Sequence, residues 1–216
     1  MNSIHFGLFL ETAERLSFLN KEMASTKLNL AFIEQKDSRG NVCFANSPEL
    51  RSEFKETFTQ TDLFSYFYAV LFSSRYRNSF QDLRTDLSSI LIMEDKVKFW
   101  KLVQLGGELR KIHLSEDNNY IPFPAEDDNI VTEIKFERNC TNECLGKIYL
   151  NDNQYFDNVP EAAWHFRMDN SQLAQKWLEN RKGFKLNAKE ILEYQKLITS
   201  LSETDRIAKI IDSYSG

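Results

Sequence analysis

The sequence predicts an α+β fold, mainly helical, with a small β-hairpin or sheet around residues 129–156. Three observations predict it. Gly (7) and Pro (4) are scarce in 216 residues, which argues against a many-turned β-sandwich and for substantial helix. Long stretches carry apolar residues at helical spacing. Only "NIVTEIKFER" (129–138) and "GKIYLNDNQYF" (146–156) read as strands.

The elements follow in order. Residues 1–33 lean to helix, with apolar positions 6, 9, 10, 13 and 16 on one face. "KDSRGN" (36–41) reads as a turn and "NVCFA" (41–45) as a short strand or loop. "NSPELRSEFKETF" (46–58) opens on Ser–Pro and predicts a short helix. Asp62 is placed to cap a helix running to about Ser74. Its apolar residues surround the cylinder, as in a helix central to a domain. "RYRNSFQDLRTDL" (75–87) follows with three Arg. "KVKFWKLVQLGGELRKIHL" (96–114) predicts another helix, and its Gly106–Gly107 pair implies close approach of a second backbone.

After the acidic segment 115–129 the pattern changes. Positions 130, 132, 134 and 136 alternate as one face of a strand, and Asn-Asp-Asn (151–153) separates two more short strands. Helices resume at "PEAAWHFRM" and "SQLAQKWLENR". "LNAKEILEYQKLITSLSETDRIAKIID" (186–212) closes the chain as a long helix. Asn187 and Glu190 form its capping pair, and 191, 194, 198, 201, 208 and 211 form its apolar stripe, interrupted by Asp205.

Composition narrows the function classes. Hydrophobic residues are 42% and charged residues 27%, an ordinary globular balance. The longest uncharged run, "LFSYFYAVLFSS" (63–74), is too short to span a bilayer, so no membrane partner is expected. The N-terminus lacks the pattern of a signal peptide. Three Cys suggest a reducing, cytoplasmic setting. The formal net charge of -5 is far from a basic nucleic-acid footprint, but charge is uneven. From Arg167 to Lys196 there are seven Lys/Arg (167, 176, 181, 182, 185, 189, 196) against four acids (169, 179, 190, 193).

No catalytic motif is visible. There is no glycine-rich phosphate loop and no G-x-S-x-G turn. Cys140 and Cys144 lie four apart without a second close pair of Cys or His, and the three His (5, 113, 165) are scattered, so two ordinary thiols are the better reading than a zinc site. "EDD" (126–128) reads as a solvated acidic loop rather than a cation site. The chain by itself is expected to be non-catalytic, with no cofactor of its own.

The motifs "GKIYLNDNQYFDNVPEAAWHFRM" and "QLAQKWLENRKGFKLNAKEILEYQKLITSLSETDRIAKIID" resemble the C-terminal specificity region of single-chain restriction–modification enzymes, the adenine-specific DNA methyltransferases that include the type ISP group. The matching elements are Gly146–Asn151, Gln154–Phe156, Val159–Trp164, Lys176–Leu186, Glu190–Ile198 and Glu203–Asp212. Upstream, "DLFSYFYAVLFSSRYRNSF" (62–80) and "FWKLVQLGGELRKIHL" are similar to two further family helices. The resemblance covers roughly 46–214. It divides the chain into an unplaced N-terminal segment, 1–45, and a target-recognition-like domain, 46–216. The sequence departs from the family at "SSIL" (88–91), where a P-R-I-P turn is usual. It also departs at Asp169-Asn170-Ser171, where Gly-Gly-Tyr is usual, and at Phe72, where His is usual. These departures put DNA contacts by the two loops in question. N-P-P-Y/F and F-x-G-x-G motifs are missing; in such enzymes they lie upstream, which implies a separated domain, a truncated gene or a stand-alone relative.

The resemblance implies a DNA target-recognition module, with double-stranded DNA and the methyltransferase and translocase domains of a parent or partner chain as its partners. S-adenosylmethionine would be bound by the parent enzyme. On this reading Arg181, Lys182 and Lys185 hold phosphates, and Arg75, Arg77 and Arg84 form a second set. Gln172, Gln175 and Asn180 are candidates for base edges, since Asn and Gln pair bidentately with adenine. Taken singly, each cation reads first as solvated surface charge, and the helix dipole alone favours cations at a helix C-terminus. Trp164 and Trp177 read as core rather than as base-stacking residues. The alternative is an interaction subunit that docks on a methyltransferase or helicase with little DNA contact, which the net charge of -5 and the lost Pro-Arg turn favour.

Overall fold

The computed structural model describes residues 3–34, 55–85, 87, 90, 92–114, 129–139, 144–169 and 171–215. The fold is α+β and mainly helical, with sheets of two or three strands. It divides into two compact units, Ile4–Lys111 with Ala208–Gly216, and Met1–Ser3 with Ile112–Ile207. The turn at 36–41, the short strand or loop at 41–45 and the acidic segment up to 128 with its "EDD" lie outside the described residues, as does Cys140.

The first unit is built on α1 (Ser3–Leu19), α2 (Lys21–Leu28), α3 (Gln60–Phe72), α4 (Ser74–Arg77), α5 (Phe80–Thr85) and most of α6 (Lys96–Leu114). Two-residue strands β1 (Ala31–Phe32) and β2 (Thr57–Phe58) pair in parallel. The expected helix over 46–58 is therefore corrected at its described end, where the backbone is strand. The central helix is α3, and residues Leu63 and Ser65–Phe72 are all buried. It begins earlier than Asp62. Thr59 is the N-cap, and the Asp62 carboxylate accepts from the Thr59 N–H at 2.8 Å, a reciprocal capping box. Phe9 joins the aromatic core, stacked on Phe80 at 3.7 Å and tilted against Phe72 at 4.8 Å.

The expected close approach at the Gly pair falls on one glycine. A Cβ on Gly106 would sit 1.8 Å from the Ser65 carbonyl oxygen of α3, whereas one on Gly107 would meet nothing within 4 Å. Gly106 therefore lets α6 lie against the α3 backbone.

The second unit centres on the antiparallel sheet β3 (Lys135–Arg138), β4 (Leu145–Tyr149) and β5 (Tyr155–Pro160), in that order. The β4–β5 hairpin turns at Asn151, whose side-chain oxygen accepts from the Asn153 and Gln154 N–H groups at 3.0 and 2.9 Å. The strand expected from 129 is shorter. The Thr132 and Glu133 N–H groups both converge on the Leu150 carbonyl, so the pleat is lost there and Val131, not its even-numbered neighbours, is fully buried. The helix expected over 160–168 also stops early. After α7 (Glu161–His165), Phe166 is extended and buried, and β6 (Arg167–Met168) pairs with β7 (Ser171–Gln172). Asp169 makes the tight turn in the left-handed region at φ +47°.

Helix α8 (Leu173–Glu179) and the part of α9 (Ala188–Ser215) up to Ile207 complete the unit, and the rest of α9 belongs to the first. Trp177, Tyr194 and Phe156 pack in sequence, each ring tilted against the next with centroids 4.9 Å apart. Trp164 and Trp177 are both buried, as the core reading requires. The six stripe positions of α9 are all buried.

Candidate nucleic-acid interface

The basic stretch Arg181–Lys185 is the turn that joins α8 to α9. Asn180 ends α8 in right-handed helical geometry, and the Arg181 and Lys182 N–H groups continue its last turn by donating to Leu178 and Glu179. Gly183 then reverses the chain at φ +85°, which a residue without Cβ adopts at no steric cost. The turn is pinned from the other side. The Gly183 N–H donates to the Val131 carbonyl at 2.7 Å, and the Val131 N–H donates to the Phe184 carbonyl at 3.1 Å. Lys185 pairs with Ile130 in an antiparallel bridge, and the Leu186 N–H donates to the Asn129 carbonyl at 2.8 Å. The stretch is thus a built loop, with the N–H groups of Arg181, Lys182, Gly183 and Phe184 all donating.

Its three cations are not equivalent. The Arg181 guanidinium lies over the Trp177 ring, 3.5 Å from the centroid. Its Nη1 donates to the Trp177 carbonyl at 3.2 Å and its Nε to Glu190 Oε1 at 3.2 Å. Glu190 Oε2 accepts from the Asn187 N–H at 3.1 Å, and Asn187 Oδ1 accepts from the Glu190 N–H at 3.0 Å, the expected cap of α9. Arg181 thus ties the end of α8 to the start of α9, and its side chain is mostly buried. Lys182 and Lys185 are exposed. Between them stands Phe184, 69% exposed.

The candidate base-reading amides are also distinct. Gln172 Nε2 lies 3.4 Å from the Trp164 carbonyl and 3.3 Å from His165 Nδ1. Gln175 Nε2 donates to Glu179 Oε1 at 2.8 Å along α8. Asn180 is exposed at the C-cap. The second cation set belongs to the other unit. Arg75 is exposed on α4 with its guanidinium 5.3 Å from the Tyr76 ring centre, and the Arg77 Nη1 lies 3.4 Å from the Phe72 carbonyl. Arg84 lies on α5. The N-terminus of α4 is held by Asp212, whose carboxylate accepts from the Ser74 N–H at 2.8 Å.

The chain matches the Type ISP C-terminal specificity domain over residues 16–210. It belongs to that family. The match begins well inside the N-terminal helix α1, so most of the described part of the segment 1–45 lies within this specificity domain. No curated protein matches the chain. Among solved structures it is similar to a nuclease-deletion mutant of the Type ISP restriction–modification enzyme LlaGI in complex with a DNA substrate mimic. That likeness has a TM-score of 0.45 and 22% identity, and it covers 69% of this chain. The chain spans 13% of the length of that enzyme's chain.

Within the specificity domain, the sequence picked out the 181–185 cations as the end of a helix, but not the turn that holds them or the division of labour inside it. Two participants escaped it: Phe184, whose exposure no periodicity reveals, and Glu190, which holds Arg181 as well as capping α9. Among the described residues no group of three or more His, Cys, Asp and Glu side chains could hold a metal ion. No helix among them is long and apolar enough to cross a membrane.

Proposed function

We propose that this specificity domain reads duplex DNA for an adenine-specific restriction–modification enzyme of the cytoplasm and does no chemistry itself. The observation that carries the reading is the match to the Type ISP specificity domain over 16–210. The loop geometry supports it. Lys182 and Lys185 stand exposed on a turn pinned by backbone hydrogen bonds to Val131, so they can meet phosphates with little ordering cost to the loop. Asn180 at the end of α8 is the best-exposed of the three amides for a base edge. Arg75 supplies a separate cation in the other unit. The target adenine would be methylated by domains of a parent or partner chain, which would also bind S-adenosylmethionine and move along DNA. Arg181 is reassigned on this reading to positioning the loop.

The test is binding of the chain to a randomised duplex pool at low salt, followed by selection. Salt-sensitive binding and enrichment of one defined sequence are expected, with no heat from S-adenosylmethionine in calorimetry. Lys182→Glu with Lys185→Glu should weaken binding to all duplexes. The slope of log affinity against log salt should flatten by roughly 0.9 for each phosphate that the variant no longer neutralises. Absence of duplex binding at any salt overturns the reading and leaves an interaction subunit that docks on a methyltransferase or helicase.

A further inference from the structure

Phe184 is out of place for a side chain with only a structural role. It is 69% exposed, the most exposed of the large apolar residues among those described. Its exposure is not that of a loose loop. Its N–H donates to the Arg181 carbonyl at 3.0 Å and its carbonyl accepts from Val131, so its backbone is held from both sides while its ring is turned out to water. The charged residues nearest to it in the chain are cations, and of the flanking acids Glu179 and Glu190 the latter is engaged by Arg181. From Arg181 to Lys189 there are four cations (181, 182, 185, 189) and no acid. The other strongly exposed apolar residues are Phe18, Leu19, Met23, Val97 and Leu114. The first three sit among Glu14, Lys21 and Glu22, Val97 among Glu94, Asp95, Lys96 and Lys98, and Leu114 between Lys111 and Glu116, all settings of mixed charge.

A rigid, outward-facing aromatic ring between two exposed lysines matches one kind of partner. A nucleic acid offers phosphates for the lysines and the flat apolar faces of its bases for the ring. We propose that Phe184 is a DNA contact whose ring packs on a base at an opened step of the duplex, while Lys182 and Lys185 hold the backbone beside it. The inference deepens the DNA-recognition reading above and rests on it. Stacking on an aromatic ring neutralises no charge, so its signature differs from that of the lysines: affinity changes while the salt dependence does not.

The experiment compares the full chain with Phe184→Ala, Phe184→Trp and the Lys182→Glu/Lys185→Glu double variant, each titrated with a labelled duplex from low salt upward. Because the ring is exposed, Phe184→Ala should melt as the wild type does. It should bind duplex roughly tenfold more weakly, within the range for loss of one stacked base, with the salt slope unchanged. Phe184→Trp should keep wild-type affinity, and its added emission should be quenched by duplex. The double lysine variant should instead flatten the salt slope. If Phe184→Ala binds as wild type while the lysine variant is weakened, the Phe184 proposal fails and the DNA reading stands; a ring that docks on another protein domain gives this result. If Phe184→Ala flattens the salt slope as the lysine variant does, the damage lies in the loop and the stacking role is overturned. If wild type binds no duplex, both readings fail together.

Discussion

The Arg181 guanidinium lies over Trp177, 3.5 Å from the ring centre, with its Nε on Glu190. A cation at the end of a helix, at first sight solvated or phosphate-binding, is thereby the bolt between α8 and α9. The other two cations of the stretch are left to face outward.

Arg181→Ala should cost about 2 kcal/mol in urea unfolding, since it removes a desolvated cation–π interaction and a charge-assisted hydrogen bond together. Arg181→Lys should recover less than half, because an ammonium lacks the planar face and the fork of donors. Lys182→Ala should stay within about 0.5 kcal/mol of wild type. Equal effects at Arg181 and Lys182 would remove the distinction. Charge reversal aimed at DNA binding is therefore confined to Lys182 and Lys185.

Gly106→Ala should destabilise the domain by about 3 kcal/mol or more, because its Cβ would sit 1.8 Å from the Ser65 carbonyl oxygen and the two helix backbones must part. Gly107→Ala, with open space around it, should stabilise by up to about 1 kcal/mol through helix propensity. Thermal melts of the two variants check the opposite signs; a destabilised Gly107→Ala contradicts the packing described.

Truncation of Phe67 or Leu71 to Ala should cost about 2–5 kcal/mol, since both are fully buried on α3. Melting temperatures unchanged from wild type would show α3 to be peripheral.

His113 provides a pH dependence. Burial pushes its pKa down from 6.5 to about 3, and its Nε2 lies 2.8 Å from Thr204 Oγ1. Thr204 Oγ1 donates to the Ser200 carbonyl at 2.6 Å, so the imidazole Nε2–H is the donor in its bond to Thr204, and burial keeps the ring neutral. Above pH 6.5 the ring is neutral both folded and unfolded, and pH has no effect through it. As pH falls from 6.5 toward 3, the unfolded chain takes up a proton that the folded one refuses, so stability is lost across that window. His113→Gln should reduce this fall. Melting curves of both proteins from about pH 7.5 to about pH 4.5 check it, and parallel losses would exclude His113 as the cause.

Much of the fold was written locally. The bounds of α6, the capping of α9 by Asn187 and Glu190, the burial of α3 and the hairpin at Asn151–Asn153 all follow from spacing and turn chemistry within a few residues of chain. So did, through motifs in fixed order, the family. What the sequence left open depends on partners distant in the chain. The even-numbered face expected at 130–136 gave way to Val131 because two N–H groups compete for the Leu150 carbonyl, and that register exists only once β4 is in place. Phe166 leaves the helical pattern because its carbonyl and those of the β6–β7 pair find other donors. Arg181 and Lys182 are neighbours with similar charge, and nothing local separates them. Only the fold brings Trp177 under one and Glu190 beside it, while Val131 clamps the next turn and sets Phe184 outward. Periodicity records which side of an element is apolar; which groups meet across elements is decided by packing, where one carbonyl or one ring can accept only a limited set of partners.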